Sequence, residues 1–281
     1  MPASLSELKK SLPVWTPKAW YYATVRAGLN IGALFSKGLA IGQRHGFDSG
    51  VMLNHVYENK AKGVGFLGRF IDRQYLNSMG WVGIRNRGEL LSQTIKETLQ
   101  HYGALRDHVN FADLACGGGR YALQAMKNVS GIKINATLRD YASANIQQTR
   151  ENAQALDLTP RIEKADAFNA HDLETMDKQD VLVVSGLHEI IDDDDLIRHH
   201  FKQLKRVLKP DGTLILTIQP DHPQLEFIAR TLKTHTGRPW AMRIRNKDLI
   251  TQWLNNAGFE IQSMKMEDTG IFGIITAQQG A

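Results

Sequence analysis

The spacing of apolar positions changes character near residue 105. Before it, apolar residues recur at helical intervals only. Helices are expected across residues 4–60, interrupted by GFDSG at 46–50, then a glycine-punctuated connector over 63–80 and a further helix from about 88 to 102. Beyond it, short apolar runs alternate with amphipathic stretches: NFADLAC with GRYALQAMKN, IKINATL with SANIQQTRENAQAL, RIEKADA, DVLVVSGL with LIRHHFKQLKRVL, and GTLILTI. Alternation of this kind builds parallel βαβ units. The end departs from it, because the helix NKDLITQWLNNAGF is followed by FEIQSMKM and GIFGIITAQ, two strands joined by the short turn EDTG. The expected fold is therefore α/β: a doubly wound, mostly parallel seven-stranded sheet with a C-terminal antiparallel hairpin over residues 105–281, preceded by an α-helical extension over 1–104.

Composition narrows this picture only a little. At 281 residues the chain can bury a real core, and its net charge of +5 suits an anionic small molecule, a nucleic acid or an anionic membrane surface equally well. The single cysteine, Cys116, excludes an internal disulfide and a cysteine-based zinc cluster, and MPASLSELKK does not read as a secretory leader, so the cytoplasm is the expected location. The weakly charged stretch 20–42 is broken by Arg26, Asn30 and Lys37 and falls short of a membrane span. Arg26, Asn30, Lys37 and Arg44 would form a narrow polar stripe on an otherwise apolar helix, for which core packing is the expectation. Trp15, Trp20, Tyr21 and Tyr22 also suit a lipid interface, so peripheral membrane contact stays open.

The chemistry concentrates at residues 111–120, FADLACGGGR. Gly117, Gly119 and Ala122 satisfy the G-x-G-x-x-[GA] spacing of a dinucleotide loop, yet Asp113 would aim a negative charge at the pyrophosphate of such a ligand. The acid points to a cationic ligand; its alternative task is to cap the turn. Asp140 follows the next apolar run, where a carboxylate can accept two hydroxyls or cap the following helix, and Asp166 follows the third. Three acids at successive strand ends face the crevice where open sheets bind ligands.

The spacing Asp113, Ala115, Gly117, Gly119 resembles the acid-x-G-x-G-x-G loop of class I S-adenosylmethionine-dependent methyltransferases, with Ala115 in place of the first glycine. The likeness runs colinearly over about residues 105 to 279. It implies S-adenosyl-L-methionine as cofactor, with Asp113 near the ammonium group, Asp140 on the ribose, Asp166 and the amide of Ala167 at the adenine, and Ser185 completing the set. The implied activity is methyl transfer by direct displacement.

At the end of the fourth strand SGLHEI stands where that family places substrate-facing groups. It is neither an Asn-Pro-Pro-Tyr loop nor a Pro-Cys pair, which disfavours DNA methylation. His188 is the candidate base, with Glu189 orienting it or acting alone; alternatively His188 caps the strand. His222, after the fifth strand, is a second candidate for substrate contact. The acids at 192–195 precede a helix and suit its macrodipole, so no metal is expected. In MRIR, Arg243 and Arg245 share a face if the segment is extended, an arrangement that suits a phosphate or carboxylate or merely a solvated strand.

GRFIDRQYLNSMGWVGIRNRGELL resembles the region before the glycine loop in a group of bacterial methyltransferases with a helical N-terminal extension. Members of that group are often joined to α/β-hydrolase domains or found beside phospholipid-type enzymes. That resemblance implies a small-molecule or lipid-like acceptor. Arg69, Asp72, Arg73, Tyr75, Trp81, Arg85 and Arg87 could form a lid that excludes water and touches the cofactor carboxylate, with Tyr75 and Arg85 as candidate substrate contacts, or else a packed linker with surface arginines. Two alternatives stay open: an RNA methyltransferase, for which no stacking-aromatic motif speaks, and a cofactor-binding module without chemistry. The oligomeric state is not legible.

Overall fold

In the computed structural model, which describes residues 5–280, six helices come first: α1 (Leu5–Lys9), α2 (Pro17–Gly32), α3 (Lys37–His45), α4 (Gly50–Glu58), α5 (Gly65–Leu76) and α6 (Met79–Gly103). Strand and helix then alternate through β1 (His108–Asp113), α7 (Arg120–Lys127), β2 (Lys133–Asp140), α8 (Ser143–Ala155), β3 (Arg161–Lys164), α9 (Ala170–Glu174) and β4 (Gln179–Val184). The chain continues as α10 (Asp194–Val207), β5 (Leu208–Ile218), α11 (Leu225–Thr231), α12 (Lys247–Asn256), β6 (Phe259–Met266) and β7 (Gly273–Gln279). It divides into two compact units, Met1–Arg85 with His222–Arg243, and Asn86–Asp221 with Ile244–Ala281.

The second unit holds a seven-stranded sheet in the order β3-β2-β1-β4-β5-β7-β6, parallel except for β7, which runs antiparallel to both β5 and β6. The expected α/β sheet with its closing hairpin is what forms. β4 is buried along its whole length, as a central parallel strand covered on both faces must be. Its alternation sorts the core: Val181 and Val183 pack with Leu91, Ile95 and Leu99 of α6, while Leu182 and Val184 pack with Phe201 of α10 and Trp253 of α12. The strand order reverses between β1 and β4, so the connections after these two strands leave in opposite directions and open a crevice at their carboxyl ends.

The first unit is organised around one buried acid. Asp72 of α5 is fully buried and accepts from Ser36 Oγ and Gly38 N at the start of α3, both at 2.6 Å, and from Lys62 N at 2.8 Å. His55 of α4 stands 3.5 Å from the other side of the carboxylate. Gly38 is required there, because a Cβ would lie 2.6 Å from the Tyr75 ring. Residues 222–243 join this unit: Lys18 pairs with Glu226, Phe47 N donates to the Lys233 carbonyl at 3.0 Å, and Asp48 accepts from His235 N at 2.6 Å.

Two expectations change here. Residues 63–80 are not a connector, because α5 occupies most of them and α6 begins at Met79; Gly65 adopts φ +63° to start α5, and Gly68 lets the backbone approach Phe35. The stretch 20–42 is two helices, since Ser36 caps α3 by accepting from Leu39 N. It holds two G-x-x-x-G spacings, Gly28 with Gly32 and Gly38 with Gly42: Gly38 and Gly42 pack closely against Tyr75 and Phe47, Gly32 packs against Leu39, and Gly28 faces open space.

Burial raises the pKa of Asp72, but its bonds to His55, Ser36, Gly38 and Lys62 outweigh it and hold the carboxyl well below the usual range. A depressed folded pKa contributes stability that is complete above the unfolded value, near about pH 4, and is lost as pH falls below it. Asp72→Ala should cost roughly 3 to 5 kcal/mol at neutral pH in urea unfolding and flatten the acid limb of stability against pH. Wild-type-like unfolding of the variant at neutral pH would show that the acid does not organise this unit.

Candidate active site

β1 ends on Asp113 and its neighbour β2 ends on Asp140, so the ladder brings two acids to adjacent strand termini. Between them runs the loop containing Ala115, Gly117 and Gly119. Its first turn is pinned by Leu114 N to the Val183 carbonyl and by Cys116 N to the Arg139 carbonyl, both at 3.0 Å. Gly117 and Gly119 take φ of +57° and +66°, which a side chain would strain, and nothing lies within 4 Å of the place a Gly117 Cβ would occupy. That side of the loop is open to a ligand. Asp140 holds the turn from below: Oδ2 accepts from Gly117 N at 2.9 Å, and Oδ1 accepts from Ala142 N at 2.8 Å and Asn145 Nδ2 at 3.0 Å.

Asp113 is the anomaly. It is fully buried, and neither carboxylate oxygen has a partner in hydrogen-bonding geometry. The Tyr121 hydroxyl and Ala115 amide lie near enough to favour its charge, but outside good bonding geometry, and burial together with the negative field of Asp140 outweighs them. The carboxyl is pushed up to about 7. A buried acceptor left in this state is costly unless a cation or donor meets it. The neighbouring Cys116 thiol is pushed up as well, chiefly by burial, and is inert.

Asp166 and Ala167 follow β3. Asp166 Oδ1 accepts from Phe168 N at 2.9 Å and its own amide donates to Asp172 Oδ2 at 2.8 Å, while Ala167 is buried. Ser185 is buried just past β4.

The segment after β4 separates His188 from Glu189. His188 is buried and its Nε2 lies 2.9 Å from His200 Nδ1 of α10, with the Phe168 and Phe201 rings packed around the pair. Burial drives its pKa well below the usual histidine value, with His200 and Arg245 adding to the effect; His200 itself is lowered to about 4. Both imidazoles are neutral at pH 7 and face the packed layer under the sheet. The expected base is therefore committed to internal packing, and Glu189 does not orient it. Glu189 instead accepts from Thr217 Oγ1 at 2.6 Å, and Thr217 Oγ1 also accepts from Gly186 N at 2.7 Å. The residue as a whole is half-buried, but Glu189 Oε2 is screened from solvent and has no hydrogen-bond partner among the described residues. Burial raises its pKa against the opposing field of Arg87.

Arg245 departs from the expected rim. It is buried, with Nε on Asp194 at 2.9 Å and its two terminal nitrogens on the His188 and Ile191 carbonyls. Its fork is used internally, so Arg243 and Arg245 do not form a pair for one anion. Asp193 caps α10 by accepting from Asp195 and Leu196 amides, the capping expected of the acidic run.

The other expected substrate residues belong to the first unit. Tyr75 stacks edge-on with Phe47 and Trp81 and donates to Met52 sulfur at 3.5 Å, so it is a packing residue. Arg85 donates to the Leu76 carbonyl at 2.9 Å, closing the end of α5. His222 is buried and accepts from Gln224 N at 3.1 Å, and Arg243 is half-buried. Sequence reasoning missed the supports of the loop: Thr149 Oγ1 donates to the Gly117 carbonyl at 2.8 Å and Asn152 Nδ2 to the Gly118 carbonyl at 2.7 Å. Asn145, Thr149 and Asn152 stand at i, i+4 and i+7 on α8, a polar stripe that was readable as a face turned toward the loop.

The chain matches the protein family described as "Putative methyltransferase" over residues 2–279, and it belongs to that family. It is 36% identical over 260 residues to "Uncharacterized protein YnbC" of Escherichia coli (strain K12), a match that covers 91% of this chain but 44% of the relative. The chain thus spans less than half the length of that curated relative. Among solved structures, a "possible exported protein" from Bordetella parapertussis covers 95% of this chain and is itself covered completely, at a TM-score of 0.60 and 17% identity. The magnesium protoporphyrin IX methyltransferase ChlM from Synechocystis PCC 6803, solved with bound SAH, covers 83% of this chain and is covered to 96%, at a TM-score of 0.58 and 13% identity. The fold is that of class I methyltransferases.

Asp113 has the opposite linkage to Asp72. Its folded pKa lies above the unfolded one, so stability falls as pH rises from about 4 through about 7 and stays low above that. Asp113→Asn should remove this fall and raise the ligand-free unfolding free energy at about pH 8, by an amount on the order of a few kcal/mol or less, read by urea unfolding. Equal pH dependence in wild type and variant would show that the carboxyl is not held in a costly buried state.

Proposed function

We propose that the chain transfers a methyl group from S-adenosyl-L-methionine to a small-molecule or lipid-like acceptor. The observation that carries the reading is the buried, unpartnered carboxylate of Asp113 beneath a glycine loop whose Gly117 side is open. A dinucleotide pyrophosphate would be repelled there, whereas a ligand with an ammonium group supplies the charge the acid lacks. The family membership supports the same chemistry.

The donor set fits this cofactor residue by residue. Asp113 would take the ammonium, Gly117 and Gly119 let the backbone close on the amino-acid end, and Asp140 offers its carboxylate edge to the ribose hydroxyls. Asp166, Ala167 and Ser185 complete the proposed set along the ends of β3 and β4. When bound, the sulfonium provides an electrophilic methyl group with a neutral leaving group. The protein's share is alignment, which supplies roughly 7 to 11 kcal/mol in well-oriented reactions, and control of the acceptor's proton.

For that proton Glu189 replaces His188. Thr217 fixes one carboxylate oxygen, the other is screened from solvent and has no hydrogen-bond partner among the described residues, and burial raises the pKa, the direction that makes a carboxylate a stronger base. Glu189 would accept a hydroxyl acceptor's proton as the oxygen–carbon bond forms and the carbon–sulfur bond breaks, or would take an ammonium acceptor's proton beforehand, so that the freed amine lone pair can attack. An acceptor outside nucleic acid is part of this reading, for which SGLHEI speaks by being neither an Asn-Pro-Pro-Tyr loop nor a Pro-Cys pair, and action in the cytoplasm is another, for which the single cysteine speaks.

Asp140→Asn and Asp113→Asn should each weaken S-adenosylmethionine binding by roughly 1 to 3 kcal/mol in calorimetry, with circular dichroism unchanged. Wild-type affinity in both folded variants would remove the two acids from the cofactor site. Incubation of cell extract with protein and methyl-labelled cofactor, read by mass spectrometry, identifies the acceptor.

On that acceptor Glu189→Gln should lower kcat by roughly 100-fold while leaving cofactor affinity intact, and wild-type kcat should decline as pH drops through the raised Glu189 pKa. An unchanged kcat and pH profile would show that no base acts at this position.

A further inference from the structure

α2 turns an apolar side outward. Trp20, Ala23, Ala27 and Ile31 recur along one side of the helix and are all exposed, Trp20 to 67%. Between Lys18 and Lys37 the only charged residue is Arg26, and its guanidinium is bonded to the Arg230 carbonyl. The solvent side of a helix packed on a core normally carries charge. This one carries almost none.

The strip continues beyond the helix. Leu34 is 73% exposed in the turn to α3, and Phe35 beside it is exposed as well. The Phe35 carbonyl accepts from Val64 N at 2.8 Å, and a Cβ on Gly68 would lie 2.5 Å from the same oxygen, so the start of α5 is pressed against this turn. There Val64, Leu67 and Phe70 are exposed and Phe66 reaches 83%. Two separate sequence segments thus build one apolar ridge within the helical unit, an uncommon expense for a surface that meets only water.

Its border is basic. Lys37, Lys60, Lys62, Arg69 and Arg73 are all exposed, and the one acid between residues 60 and 73 is Asp72, which is fully buried. Glu58 pairs with Lys62, and Lys37, Lys60, Arg69 and Arg73 have no ion pair among the described residues. A second copy seated on this surface would set like charges against each other, and a neutral partner would have no use for the border. Apolar and aromatic tips ringed by lysine and arginine match the boundary between acyl chains and anionic headgroups.

We infer that this ridge docks the chain peripherally on an anionic bilayer surface, with Phe66, Leu67 and Phe70 entering the headgroup boundary and α2 lying along it. No helix among the described residues is long and apolar enough to cross a membrane, so the contact is with one surface. The inference is independent of the methyl-transfer reading, and Asp113→Asn should dock like the wild type.

The test is co-sedimentation of the 281-residue chain with vesicles of phosphatidylcholine alone or mixed with phosphatidylglycerol, at low and high salt. Binding is expected on the phosphatidylglycerol vesicles only and should weaken with salt. Phe66→Ser/Leu67→Ser/Phe70→Ser should reduce affinity by about tenfold or more. Arg69→Gln/Arg73→Gln should reduce it and flatten the salt dependence, and it decides the matter if the triple variant does not fold. Three results would overturn the inference: no wild-type binding at low salt, equal binding by folded variants, or light scattering that shows a dimer split by the triple substitution without any vesicle binding.

Discussion

The sheet unit is arranged around one carboxylate that is buried at a strand end without a hydrogen-bond partner, beside a second at the neighbouring strand end. Asp113 and Asp140 terminate β1 and β2, and the ladder between these strands allows neither to move away. Asp140 is reconciled with its place by three donors, whereas Asp113 is left buried with none in bonding geometry. The Asp140 charge further raises the cost of ionising Asp113. A protein interior tolerates such an arrangement only where something else repays it. The loop, the polar stripe of α8 and the register of β1 on β4 all keep the unsatisfied group in position.

This constraint explains why the loop's supports are polar. Thr149 and Asn152 hold the carbonyls of Gly117 and Gly118, and Asp140 holds the amide of Gly117, so the turn is fixed from the α8 side by side chains. A left-handed glycine loop without those bonds would have many conformations to choose from. With them its remaining open side is the one above Gly117. Preorganisation of this kind is what a displacement reaction asks of a protein, since most of its contribution is geometric.

Alternating strands and helices were legible because each run buries on a fixed period, and the spacing Asp113, Ala115, Gly117, Gly119 was legible because ligand loops constrain residue type. What failed has identifiable causes. The turn after β4 breaks the strand's alternation, so sequence could not tell that His188 faces His200 while Glu189 faces Thr217. Arg245 looked like a rim residue because its partners, Asp194 and the carbonyls of His188 and Ile191, lie more than fifty residues away. The glycines at 63, 65 and 68 looked like breakers, although Gly65 starts a helix and Gly68 makes room for Phe35. The association of 222–243 with the helical unit is likewise carried by contacts across some two hundred residues, such as Lys18 with Glu226.

The apolar helix at 20–42 shows a limit of periodicity itself. Hydrophobic spacing reports that a face avoids water; it does not report what replaces the water. Core packing was the simpler expectation, and it holds for α3, where Gly38 and Gly42 receive Tyr75 and Phe47. For α2 it holds only on the side that carries Tyr22, while Trp20 and Ile31 stay exposed on the other. A helix with two apolar sides and one core satisfies one side by folding. On the docking inferred above, an anionic bilayer surface would meet the second, because Lys37, Lys60, Arg69 and Arg73 beside it favour a negatively charged environment over a neutral one.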